Sequence, residues 1–167
     1  MSDRKIAATF FPNWYAGTQY RREMTLQEYA AVILAATAAT KEQLEWMKFG
    51  LFSNKKTPKG SLRHDANMTG ITGIEVDLDR ETLGFDEVVD IIEKAGLEAL
   101  IYTSPSHLLN GHGPRLRVLC PTSKQLKPAA RDHLICRAAG LFRDGPETLI
   151  SGIVHAQPIL LFRQGRQ

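Results

Sequence analysis

The sequence predicts an α/β protein: a sheet of split βαβ connection with its helices on one face, behind an N-terminal α/β appendage. Three observations carry this. Ile71 to Leu78 alternates apolar and acidic residues at its end, the period of a strand. Phe85, Val88, Ile91, Ile92 and Ala95 recur at helical spacing, and Gly96 stands where a C-terminal cap belongs. Two more strand-like runs follow, Leu97 to Ser104 and Arg115 to Cys120, and the short spacer between them predicts an antiparallel pair.

The remaining elements follow in chain order. Ile6 to Phe11 is a short apolar run that reads as a strand, broken by Pro12, Asn13 and Gly17. Thr25-Leu26-Gln27-Glu28 is a capping-box sequence, because the Thr hydroxyl and the Glu carboxylate each satisfy the other residue's backbone N–H. The Ala-rich helix it opens is expected to reach about Ala39, and a second short helix is expected from Lys41 to Met47. Ser53 to Asn67 reads as a loop, punctuated by Asn54, Pro58, Gly60 and Asn67. The strand from Arg115 is expected to stop at Pro121. Pro128 suits the first turn of a helix ending near Gly140, with final strands at Leu149 to Val154 and Pro158 to Phe162. The expected division is 1–52 for the appendage and 53–167 for the core, within one compact unit. Strand, helix, strand, strand, helix, strand is the order of a ferredoxin-like or RNA-recognition-like sheet, whose second face is expected to be open.

Composition excludes several classes. With 167 residues, 43% hydrophobic and 23% charged, the chain suits one globular unit and not a disordered tail. No window approaches 18 uninterrupted apolar residues, so no membrane span is expected. The N-terminus lacks the features of a secretory signal, and Cys120 and Cys136 make no disulfide scaffold; a cytoplasmic location is the expectation. The two cysteines have no close paired ligands for zinc.

Charge is unevenly distributed. Nine of the 18 acids lie between Glu75 and Glu98, whereas none lies between Glu98 and Asp132 or from Lys48 to His64. Those acid-free stretches hold Arg115, Arg117, Lys124, Lys127 and Arg131, and Lys48, Lys55, Lys56, Lys59 and Arg63. Such segregation predicts a cation site beside a site for an anionic ligand.

The strand Ile74-Glu75-Val76-Asp77-Leu78-Asp79 carries the strongest chemical signal. Alternation turns Ile74, Val76 and Leu78 to one face and Glu75, Asp77 and Asp79 to the other, about 6.6 Å apart. Carboxylates so placed repel one another, and a divalent cation relieves this; Mg²⁺ or Mn²⁺ with substrate phosphates is the expected occupant. Tyr102-Thr103-Ser104-Pro105-Ser106-His107 ends the next strand with hydroxyls and an imidazole that can donate to phosphate. Arg115 and Arg117 share one strand face, where guanidinium forks can grip phosphate. Lys59 and Arg63 on the basic loop are candidate phosphate or template contacts. The N-terminal aromatics Phe10, Phe11, Trp14, Tyr15 and Tyr20 are expected to pack a small core, with base stacking the alternative.

Gly73 to Asp79, the Tyr-Thr-Ser-Pro-Ser-His run, the segment Pro114-Arg115-Leu116-Arg117-Val118-Leu119-Cys120-Pro121 and the upstream Lys59 to Asp65 together resemble the primase-polymerase domains of the archaeo-eukaryotic primase superfamily, in the versions found in phages, plasmids and integrated elements. The resemblance spans roughly residues 41 to 150. It implies a nucleotidyltransferase, a DNA primase/polymerase that adds nucleoside triphosphates to a primer on a single-stranded DNA template, working beside a replicative helicase. By resemblance, Asp77 and Asp79 are metal-binding catalytic acids, with Glu75 in support of the metal. Ser106 and His107 fall in the motif that contacts the incoming phosphates, His107 with a catalytic role, and Ser104 just before them is a further phosphate-binding candidate. The third acid that the family places on a later strand is missing from Leu149 to His155, though Asp144 and Glu147 lie just before it. The alternative expectation is therefore a degenerate, non-catalytic module that binds single-stranded nucleic acid.

Overall fold

The computed structural model describes residues 3–38 and 40–142. The two strands expected after residue 148, and with them Asp144 and Glu147, lie outside the described residues. The described part is mixed α/β, with three α-helices and two antiparallel sheets. None of the described helices is long and apolar enough to cross a membrane.

The first sheet has the order β2-β1-β3, from β1 (Ile6–Phe11), β2 (Tyr20–Met24) and β3 (Trp46–Lys48). Between β2 and β3 lies α1 (Leu26–Ala35), opened by the expected capping box: Glu28 N–H donates to Thr25 Oγ1, and Thr25 N–H to Glu28 Oε2. The helix ends at Ala35, short of the expected Ala39, because Ala36 turns extended. The expected helix at Lys41 to Met47 is only a 3-10 turn at Lys41–Gln43 followed by β3. Leu44 and Trp46 are buried at a two-residue interval, and Trp46 and Met47 pair with β1; this edge pairing wins over local helix propensity.

The second sheet has the order β4-β5-β7-β6, from β4 (Gly50–Phe52), β5 (Met68–Leu78), β6 (Leu100–Thr103) and β7 (Leu116–Leu126). β7 lies antiparallel between β5 and β6, so β5 and β6 are parallel and the helix joining them, α2 (Phe85–Lys94), makes a split βαβ connection. Gly96 closes α2 in the left-handed region at φ 63°, with Leu97 N–H donating to Ile92 O. A 3-10 turn at Pro128–Ala130 leads into α3 (Arg131–Leu141). Ile74, Val76, Leu116, Val118 and Cys120 pack on one face against Val88 and Ile92 of α2 and Ile135 and Ala138 of α3.

Two expectations need correction here. Pro121 does not stop β7. It faces Gly73 where the ladder shifts register, and Gly73 N–H donates to Phe49 O, so the missing proline donor costs no ladder bond. Second, the other face of this sheet is not open. Leu119 and Tyr102 share a core with Ile6, Ala8 and Phe10 of β1, Leu26, Tyr29 and Ile33 of α1, and Phe49. The last strand of residues 1–52, β4, forms the edge of the second sheet.

Gly73 marks the tightest seam between these layers. A Cβ there would lie 2.5 Å from Phe49 Cδ2 and 2.6 Å from the Cys120 carbonyl oxygen. Because one neighbour is backbone, the Gly73→Ala variant is expected to lose about 1–3 kcal/mol or more, read as a lower denaturant midpoint with an unchanged slope.

Candidate active site at the carboxyl ends of β5 and β6

The register carries the sequence-selected residues to one end of the sheet. Asp77 pairs with Arg117, and Arg117 with Tyr102; one step further, Leu78 pairs with Leu116 and Leu116 with Thr103. Asp79 follows directly on β5, Ser104 on β6, and Arg115 precedes β7. Ser104 N–H donates to Arg115 O, continuing the ladder past the strand ends.

Arg117 Nε lies 2.8 Å from Asp77 Oδ1, a slanted charge contact rather than an aligned hydrogen bond. Its side chain is only 6% exposed and that of Asp77 18%, so this pair is largely dry. Burial pushes the Asp77 carboxyl above its usual range; Arg117 and Lys48 oppose this, whereas Asp79 and Glu75 add to it.

Glu75, expected on the metal, has both oxygens engaged. Oε1 accepts the Phe49 N–H at 2.6 Å, and Oε2 faces Lys48 Nζ at 3.1 Å and Arg131 at 3.7 Å. Burial raises its pKa, but the two cations and the Phe49 N–H outweigh burial and hold the carboxyl below the usual glutamate range. The stability this contributes is complete above the ordinary value of about 4.3 and is lost as pH falls through the lower folded-state pKa. Glu75→Gln is therefore expected to flatten the loss of stability below about pH 4, measured as denaturant midpoints along an acid titration.

Beyond the strand ends, a second network forms around Glu81, a residue the sequence reading missed. Its Oε1 accepts from Arg115 Nε at 2.8 Å and lies 3.0 Å from His112 Nδ1, and its Oε2 accepts the Gly113 N–H at 2.7 Å. Those bonds, the Gly113 N–H foremost, hold its carboxyl below the usual range. Arg115 also donates to Ser106 Oγ at 3.1 Å, and Ser106 Oγ lies 3.3 Å from Ser104 Oγ. His107 Nδ1 accepts the Arg115 N–H at 3.0 Å. That bond leaves the ring proton on Nε2, so a half-buried imidazole presents a donor. Glu81 had a sequence signal: it continues the every-second-residue acids Asp77 and Asp79 past the strand.

The loop candidates are placed differently. The Arg63 guanidinium lies 3.8 Å from the Trp46 ring centroid and donates to the Trp14 carbonyl, and burial lowers its pKa to about 10. It serves the packing of the N-terminal sheet, and Lys59 stands exposed on the same loop. No family model, curated protein or solved structure matches this chain.

The expected divalent ion can be tested against the donor set. Among the described residues no group of three or more His, Cys, Asp or Glu side chains gathers as a ready-made metal centre. Asp77 and Asp79 alone fit an ion that takes its other ligands from water and phosphate, which is how Mg²⁺ is commonly held. Asp79 and Glu75 both add to the upward push on the Asp77 carboxyl, a repulsion that a cation would relieve.

Proposed function

We propose that this chain is a DNA primase/polymerase core that transfers nucleotides from nucleoside triphosphates to a primer on a single-stranded template. The observation that carries the proposal is the meeting of Asp77 and Asp79 with Ser104, Ser106, His107 and Arg115 at one end of the second sheet. Acids and phosphate donors lie side by side there, as a reaction on a polyphosphate requires.

In this reading the primer O3′–H gives its proton to solvent water, the O3′–Pα bond forms, the bond from Pα to the bridging oxygen breaks, and pyrophosphate leaves. Asp77 and Asp79 would hold Mg²⁺ or Mn²⁺, which would supply positive charge to the phosphate oxygens. Ser106, His107 Nε2–H and Arg115 grip the outer phosphates, with Glu81 and the Arg115 N–H holding the guanidinium and the imidazole in place. Arg117 fixes the orientation of Asp77. Glu75 anchors Lys48 and Arg131, and so stays outside the ligand set in this reading.

A second reading has one observation in its favour. Asp77 and Glu75 are already paired with the chain's own cations, as they would be in a non-catalytic module that binds single strands. Extension of a primed single-stranded template, with ribo- or deoxynucleotides and with Mg²⁺ or Mn²⁺, separates the two. Templated incorporation is expected; template binding without incorporation would leave the second reading standing.

A further inference from the structure

We propose that Trp14, Tyr15 and the lysines of the 53–67 loop form a stacking platform for single-stranded nucleic acid. This deepens the functional reading and takes from it only that a single strand is the partner.

The N-terminal aromatics divide into two groups. Phe10, Phe11 and Tyr20 pack inside, with Phe10 stacked on Tyr20 at 5.3 Å and Phe11 edge-on to Phe52 at 5.3 Å. Trp14 and Tyr15 do the opposite. They are 47% and 71% exposed, and their rings meet each other edge-on at 5.8 Å. Two adjacent large aromatics held in water have no account in the packing of the described core.

Their loop is sewn to the basic loop. Leu62 N–H donates to Ala16 O at 2.8 Å, Arg63 donates to the Trp14 carbonyl, and Gln19 Nε2 donates to Ser53 O at 2.9 Å. A Cβ on Gly17 would come within 4.0 Å of the Gly60 oxygen. The basic loop is itself braced: Gly60 N–H donates to Thr57 O and Thr57 N–H to Ser61 O, both at 2.8 Å, and Asn67 donates to Leu62 O at 2.6 Å. Exposed Lys55, Lys56 and Lys59 therefore stand on a braced loop that is bonded to the loop carrying the exposed rings.

Charge identifies the occupant. Neither Ile6 to Arg22 nor Lys48 to His64 contains an acid; the acids at their borders are Glu23, Asp65, Glu42, whose carbonyl accepts the Trp14 N–H, and Glu45, whose carboxylate accepts from the Tyr20 hydroxyl. Aromatic faces next to a row of lysines match a chain with exposed bases and a charged backbone. A duplex hides its base faces, so a single strand is the fitting ligand.

The test is anisotropy of a labelled oligothymidylate of about a dozen nucleotides, with chelator and without nucleotide. W14A/Y15A is expected to weaken binding about tenfold to a hundredfold, with the salt dependence unchanged. K55Q/K56Q/K59Q is expected to lower the slope of log affinity against log salt by about 2. Titrating the oligonucleotide should quench Trp14 in the otherwise unaltered chain, whereas Trp46 is buried and should not respond. An aromatic variant with unchanged affinity and a native circular dichroism spectrum would overturn the platform, as would equal affinity for duplex. Because chelator removes any part played by the acid pair, this outcome is independent of cation-dependent incorporation, which tests the active-site reading.

Discussion

D77N/D79N is expected to lose templated nucleotide incorporation by at least about a thousandfold while keeping its affinity for single strands. Asparagine preserves the shape of each side chain and one oxygen for its neighbours, but it removes the charge that holds a divalent cation. The double change is preferable to D77A, which would leave Arg117 buried without a partner on β5. D79N alone should give most of the loss, since Asp79 lies past the last paired residue of β5, outside the Asp77–Arg117 contact. Steady-state extension with Mn²⁺ and Mg²⁺, alongside oligonucleotide anisotropy, reads both quantities. Undiminished extension by the double variant would remove the acid pair from the chemistry.

The second large effect concerns folding. Arg117→Met should destabilise the chain by about 3–5 kcal/mol, because it leaves the mostly buried Asp77 carboxylate next to Asp79 and Glu75 without its closest cation. R117M/D77N should recover much of that loss, since the neutral amide has no charge to compensate. Urea unfolding of the two single variants and the double variant gives the coupling directly. A coupling near zero would mean that the 2.8 Å contact contributes little to stability.

These two predictions pull apart roles that the sequence merged. Alternation along Ile74 to Asp79 correctly puts Glu75 and Asp77 on one face and Val76 and Ile74 in the helix-side core. The helix at Phe85, the left-handed Gly96 and the Thr25 capping box were legible because each is set by residues within one or two turns. What could not be read was the company each side chain keeps across the fold. Lys48 and Glu75 are 27 residues apart in sequence, Glu81 and Arg115 34, and no local pattern announces either pair. Repulsion among the acids is relieved in large part by the chain's own cations, not by an ion alone as their spacing suggests. The open sheet face failed for a related reason. Tyr102 and Leu119 look like ordinary strand residues, and only the tertiary pairing shows that β1 and α1 cover them. In the N-terminal aromatics the reverse holds: core packing is the expectation and base stacking the alternative, and Trp14 and Tyr15 stand exposed.

The proposed chemistry rests on Asp77 and Asp79 holding a divalent ion that is shared with a triphosphate at the carboxyl end of β5. Crystals soaked in Mn²⁺ and a non-hydrolysable nucleoside triphosphate test it most directly. An anomalous peak about 2 Å from oxygens of Asp77 and Asp79, with phosphate density toward Ser106 and Arg115, is the predicted result. Clear nucleotide density elsewhere, with no anomalous signal at these two acids and Arg117 still closed on Asp77, would contradict it.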